Sequence, residues 1–100
     1  MDRQHCQLDG EHETSTGWLY TFTRSPGTPD EQHHELTLSW VDHEHLIGGA
    51  IAPERVARAA FELALESLGV DLPARCDVSV LRRRIDRFDE RVRERIEAPL

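Results

Sequence analysis

Trp18-Leu19-Tyr20-Thr21-Phe22-Thr23 and Glu35-Leu36-Thr37-Leu38-Ser39-Trp40-Val41 decide the fold of this 100-residue chain. Both segments alternate apolar and polar side chains, the period-two signature of a half-buried strand. Trp18, Tyr20 and Phe22 share one face, as do Leu36, Leu38 and Trp40. Between them, Ser25-Pro26-Gly27-Thr28-Pro29-Asp30 concentrates turn-forming residues, so the two strands read as a hairpin. Both apolar sets must look into one core, and a one-residue slip would turn one of them outward. Paired positions must therefore sum to an even number. A sum of 56 places Arg24 opposite Gln32, Tyr20 opposite Leu36 and Trp18 opposite Leu38. The opposite face then carries Leu19, Thr21, Thr23, Glu35, Thr37, Ser39 and Val41, a mild mixture suited to solvent or a modest interface.

Working outward, Gln4-His5-Cys6-Gln7-Leu8 reads as a short first strand ending at the turn dipeptide Asp9-Gly10. The third strand either runs past Trp40 through Asp42-His43-Glu44-His45-Leu46-Ile47 or breaks at Asp42, and Gly48-Gly49 closes it in either case. Downstream, Pro53 sits early in a helix expected over 53–68, where its missing N–H costs nothing. Val56, Ala60, Leu63, Ala64 and Ser67 form its stripe, with Phe61, Leu65 and Leu68 alongside, and Gly69 is the C-terminal cap. Asp77 caps a last helix expected over 77–97. In it Val78, Leu81, Ile85, Phe88 and Val92 recur at spacings of three and four. That stripe packs on the sheet and the first helix, or pairs in part with a second copy as a heptad seam. The expected architecture is α+β: a three-stranded antiparallel meander over about residues 3–47, then two helices on one of its faces, all in a single domain.

Composition narrows the function classes. The hydrophobic fraction is 38% and the net charge −7, which leaves a thin core and argues against a nucleic-acid-tracking role. The chain has neither lysine nor asparagine. The polar start and the lack of a long apolar run predict a cytoplasmic protein without a membrane span. Cys6 and Cys76 stand apart in no paired motif and read as reduced thiols. Arg82-Arg83-Arg84, with Arg87, Arg91, Arg93 and Arg95, is interleaved with Asp86, Asp89, Glu90, Glu94 and Glu97, so the segment carries only +2. Its i,i+4 pairs Arg82–Asp86, Asp89–Arg93 and Arg93–Glu97 would form a solvated, salt-bridged face.

All six histidines fall within the first 45 residues, among nine carboxylates and two arginines. On an extended strand His43 and His45 point the same way, about 7 Å apart. Continued that far, the 56 register sets His43 opposite Glu13 and His45 opposite Glu11. Two imidazoles and two carboxylates suit zinc or a similar divalent ion, and cross-strand charge pairing is the plainer account of the same residues. The His33-His34 pair reads as solvated loop. No glycine-rich phosphate loop, nucleophile elbow or zinc-protease pair is present. The expected function is thus a non-enzymatic protein-interaction or regulatory module without a cofactor. Its partner would be another protein or a second copy, met through the outer sheet face or residues 78–96. The alternative is a metal sensor or small metal-dependent enzyme built on His43, His45, Glu11 and Glu13.

Overall fold

The computed structural model describes residues 6–48 and 50–97. It confirms the α+β class but with more elements than expected: a four-stranded mixed sheet and four helices among the described residues. The hairpin is as read. β2 (Gly17–Arg24) and β3 (Gln32–Ser39) pair antiparallel, with Trp18 opposite Leu38, Tyr20 opposite Leu36 and Arg24 opposite Gln32. Gly17 opens β2 because nothing larger fits: a Cβ there would lie 2.1 Å from the Leu38 carbonyl oxygen.

β1 (Cys6–Glu13) pairs antiparallel with β2 and does not turn at Asp9-Gly10. The register shifts between Leu8, opposite Phe22, and Gly10, opposite Thr21, so Asp9 is a β-bulge. An extra residue reverses which parity faces the core. Past the bulge Glu11 and Glu13 stand opposite the inner-face residues Tyr20 and Trp18. The actual turn is 14–16, held by the Thr14 hydroxyl, which accepts from the Gly17 amide at 3.0 Å. The expected opening of this strand at residues 3–5 lies outside the described residues.

The third strand ends at Ser39 instead of continuing to Ile47. Trp40–Ile47 is a helix, α1. Ser39 is its N-cap: its hydroxyl accepts from the Asp42 amide at 3.0 Å and donates to the Asp42 carboxylate at 3.1 Å. This reciprocal pair satisfies helix-start groups that a strand would leave to a neighbour. Gly48, at φ 71°, ends the helix; Gly49 lies outside the described residues. One consequence is that Trp40, expected in the core, is 51% exposed.

α2 (Pro53–Leu68) matches its expected span and stops at Gly69. It buries Val56, Ala57, Ala59, Ala60, Phe61, Leu63, Ala64 and Leu65, a face too wide for a single contact; Ser67 is exposed. Phe61 stacks on Phe22 at 4.2 Å between ring centroids, nearly parallel. A short 3₁₀ turn follows (Gly69–Asp71), then β4 (Arg75–Asp77), which extends the sheet by pairing parallel with β3.

The single last helix is in fact two. Asp77 caps α3 (Val78–Arg84), its carboxylate accepting from the Ser79 amide, and α4 spans Phe88–Glu97. Ile85 is extended and Arg87 left-handed at φ 56°. The break lets α3 pack on β3 while α4 lies along α2 and α1, two directions that one straight helix cannot follow. Val78, Leu81, Ile85, Phe88 and Val92 are all buried in the chain's own core. They are therefore spent, and the heptad seam proposed over 78–96 has no free knobs.

In the last segment Arg82, Arg93 and Arg95 bond across elements, not at the expected i,i+4 spacing. Arg82 clasps both oxygens of Asp89 at 2.9 and 2.8 Å and reaches Asp42 at 2.8 Å, tying the elbow to the start of α1. Arg93 donates to the Leu46 and His45 carbonyls at the end of α1, and Arg95 to Glu62 and Glu66 on α2. Among the described residues no helix is long and apolar enough to cross a membrane.

Candidate functional site

The metal-ligand candidates do not assemble. Their gathering depended on a strand through Ile47, and α1 replaces that strand. Residues two apart on a helix point some 200° from each other. His43 accordingly turns inward: it is 8% exposed, its Nε2–H donates to the Ile51 carbonyl at 2.8 Å, and its ring meets Trp18 edge-on at 5.4 Å. His45 is exposed in the last turn, where a basic group suits the helix dipole. Glu11 and Glu13 stay on the edge strand β1. Among the described residues no three His, Cys, Asp or Glu side chains stand together as a metal site requires.

A different constellation forms on the outer face of the sheet. The bulge aims Asp9 at Thr23, whose hydroxyl donates to the carboxylate at 2.5 Å. Gln7 donates to the other oxygen at 2.6 Å. These bonds, Thr23's first, hold the Asp9 carboxyl below the usual carboxylate range. His33 Nδ1 lies 3.2 Å from the same Thr23 oxygen, and its Nε2 lies 3.2 Å from Glu31. Beside this chain a cleft of about 380 Å³ is lined by Asp9, Thr21, His33, Glu35 and Arg75 among others. Arg75, from β4, pairs with Glu35 at 3.2 Å. Four strands thus contribute one polar side chain or more to a single concavity.

The hydrogen-bond order decides what this site can do. Thr23 has one proton, and the carboxylate of Asp9 accepts it. His33 Nδ1 then meets the threonine oxygen and not its proton, so it is not set to remove that proton. In a nucleophilic triad the imidazole stands between hydroxyl and acid; here the hydroxyl stands between the other two. The arrangement fixes the order of the three groups and sets no base against the Thr23 proton. The cysteines are no better placed. Burial first, then Glu62, raises the Cys6 thiol; burial first, then Asp77, pushes Cys76 up to about 11. Both stay protonated and unreactive near neutrality.

Beneath the cleft, His34 is the residue that the sequence reading missed. It is on β3, not in a loop, and is 5% exposed. Its Nδ1 donates to the Pro73 carbonyl at 3.1 Å and its ring meets Phe61 edge-on. Its even position, shared with Leu36 and Leu38, was the signal available. Compared with known proteins, the chain matches no family model, no curated protein sequence and no solved structure.

Proposed function

We propose that this chain is a non-enzymatic protein-interaction module that associates with a second copy of itself through the outer face of its sheet. One observation carries the reading: among the described residues the helices bury the inner face, formed by Tyr20, Phe22, Leu36 and Leu38, while the outer-face side chains of the four strands stay half-buried or exposed apart from Thr23. Leu19, Thr21 and Thr37 are half-buried there, around the Asp9–Thr23–His33 network. The face carries both signs of charge, Arg75 against Asp9 and Glu35, which a two-fold contact needs to be self-complementary. The thin core gives a second surface to bury a stabilising role.

Sedimentation equilibrium across the micromolar range tests the proposal. The expected result is a concentration-dependent dimer that Thr37→Arg and Leu19→Glu each convert to monomer, with the far-UV circular dichroism unchanged. A wild-type chain that stays monomeric throughout overturns the self-association.

A further inference from the structure

We propose that the cleft at the α3–α4 elbow binds a small oxyanion, a phosphate group or a carboxylate, through Arg83, Arg87 and Ser79. This site lies apart from the outer sheet face and does not rest on the self-association above. The cleft measures about 480 Å³ and is lined by Ser79, Arg82, Arg83, Arg87, Asp89 and Glu90, with Phe88 at its base. Ser79 and Arg83 are four residues apart on α3 and so lie on one side of it.

Two independent features point to a ligand. The first is the distribution of partners. Arg82 is consumed by Asp42 and Asp89, one cation shared between two carboxylates. Arg87 and Glu90 form an exposed pair that a ligand can exchange at little cost. Arg83 has no ion-pair partner among the described residues. The cleft therefore presents one guanidinium without an ion-pair partner among the described residues, a second that is readily released, and a hydroxyl. Guanidinium forks match the paired oxygens of carboxylate and phosphate.

The second feature is backbone strain. Arg87 holds φ at 56°, a left-handed conformation that glycine adopts freely and other residues adopt at a cost. Its side chain is exposed, and among the described residues its ion-pair partner is the exposed Glu90. A strained residue with a solvent-facing charge, at the mouth of a cleft, marks a position kept for its side chain. The −7 of the whole chain does not forbid an anion here, because residues 51–100 carry ten arginines against ten carboxylates and charge beyond about 8 Å is screened at physiological salt.

Thermal unfolding of the full chain in inorganic phosphate, sodium acetate and sodium chloride at equal ionic strength is the test. The expected result is a saturable rise in Tm with phosphate or acetate that chloride does not give. Phosphate alone identifies a phosphate group, acetate alone a carboxylate. Arg83→Gln and Arg87→Gly should each raise the half-saturating concentration at least tenfold. Arg87→Gly should lose none of its ligand-free melting temperature, because glycine relieves the left-handed backbone. A rise that the variants share with wild type is bulk salt exclusion and overturns the proposal. So does the absence of any rise above chloride, or an Arg87→Gly chain that melts lower without ligand.

Discussion

The two faces of the sheet are held by different physics, although they share the same strands. On the inner face Tyr20, Phe22, Leu36 and Leu38 are fully enclosed beneath α2 and its neighbours. Burial of such side chains stabilises by roughly 1.5–3 kcal/mol each and needs no particular direction. On the outer face Thr23 is also enclosed, at 5% exposure, but by the polar side chains of Asp9 and His33. A hydrogen bond there adds only about 1 kcal/mol net and tolerates little displacement. Stability therefore sits on one side of the sheet and directional chemistry on the other. This division leaves the outer face free to recognise something without unfolding the chain.

The division is broken most directly at Phe61. Phe61→Ala removes the ring stacked on Phe22 and touching His34, and should cost about 3–5 kcal/mol in urea unfolding. A loss below about 1 kcal/mol would mean that the inner face is not where the stability lies. Next in size is the clasp at Arg82, which joins the α3–α4 elbow to the start of α1. Arg82→Ala leaves the Asp42 carboxylate, 9% exposed, without its cation and should cost about 2–3 kcal/mol. Asp42→Ala in the same background should restore part of that loss, since the orphaned charge is gone. Strict additivity of the two changes would show that the pair is not coupled.

The same division explains what was legible in the sequence. The β2–β3 register followed from alternation alone, because only one pairing puts both apolar sets on the core side. α2 was legible from Pro53 and Gly69, residues whose conformational limits act locally. The β3–α1 junction misled because Trp40 continues the alternation of Leu36 and Leu38, while the capping signal Ser39-x-x-Asp42 overlaps it. The elbow had no local signal: Ile85-Asp86-Arg87 contains neither glycine nor proline, and Ile85 and Phe88 continue the helical spacing. The outer-face network was out of reach for a different reason. It requires the Asp9 bulge, which changes the parity of β1, together with the register of three strands. With the turn read at Asp9-Gly10 and not at 14–16, the 56 register carried Glu11 and Glu13 on the second strand and grouped them with histidines that α1 separates.

A smaller effect sharpens the comparison at the boundary between the faces. Burial is the main influence on His34 and holds its pKa below the ordinary 6.5; Arg24 and His33 push the same way, and the bond to Pro73 opposes them. The unfolded chain thus binds this proton more readily than the folded one. The contribution of His34 is fully present above pH 6.5 and is lost as the pH falls through the folded value. Urea midpoints should decline between about pH 7 and 5, and His34→Gln, which keeps a donor for Pro73, should flatten that decline. An unchanged slope in the variant would place the acid sensitivity elsewhere.

The smallest expected effect has the opposite sign. The Tyr20 hydroxyl is the one polar side-chain atom among the four inner-face residues, and it has no hydrogen-bond partner among the described residues. Burial first, and then the Glu11 carboxylate that the hydroxyl faces, raises its pKa, so it remains a neutral donor that does not reach that acceptor at hydrogen-bond distance. Leaving such a group unpaired costs about 1–3 kcal/mol, whereas removing it costs only the contacts of one oxygen. Tyr20→Phe should therefore leave the chain as stable as before or more stable by up to about 1 kcal/mol, read by urea unfolding at neutral pH. If Tyr20→Phe instead destabilises by more than about 1 kcal/mol, the hydroxyl has a partner in solution, with Glu11 across the β1–β2 pair as the nearest acceptor by register. The inner face would then owe part of its stability to a directed bond, and the contrast between the two faces would be one of degree.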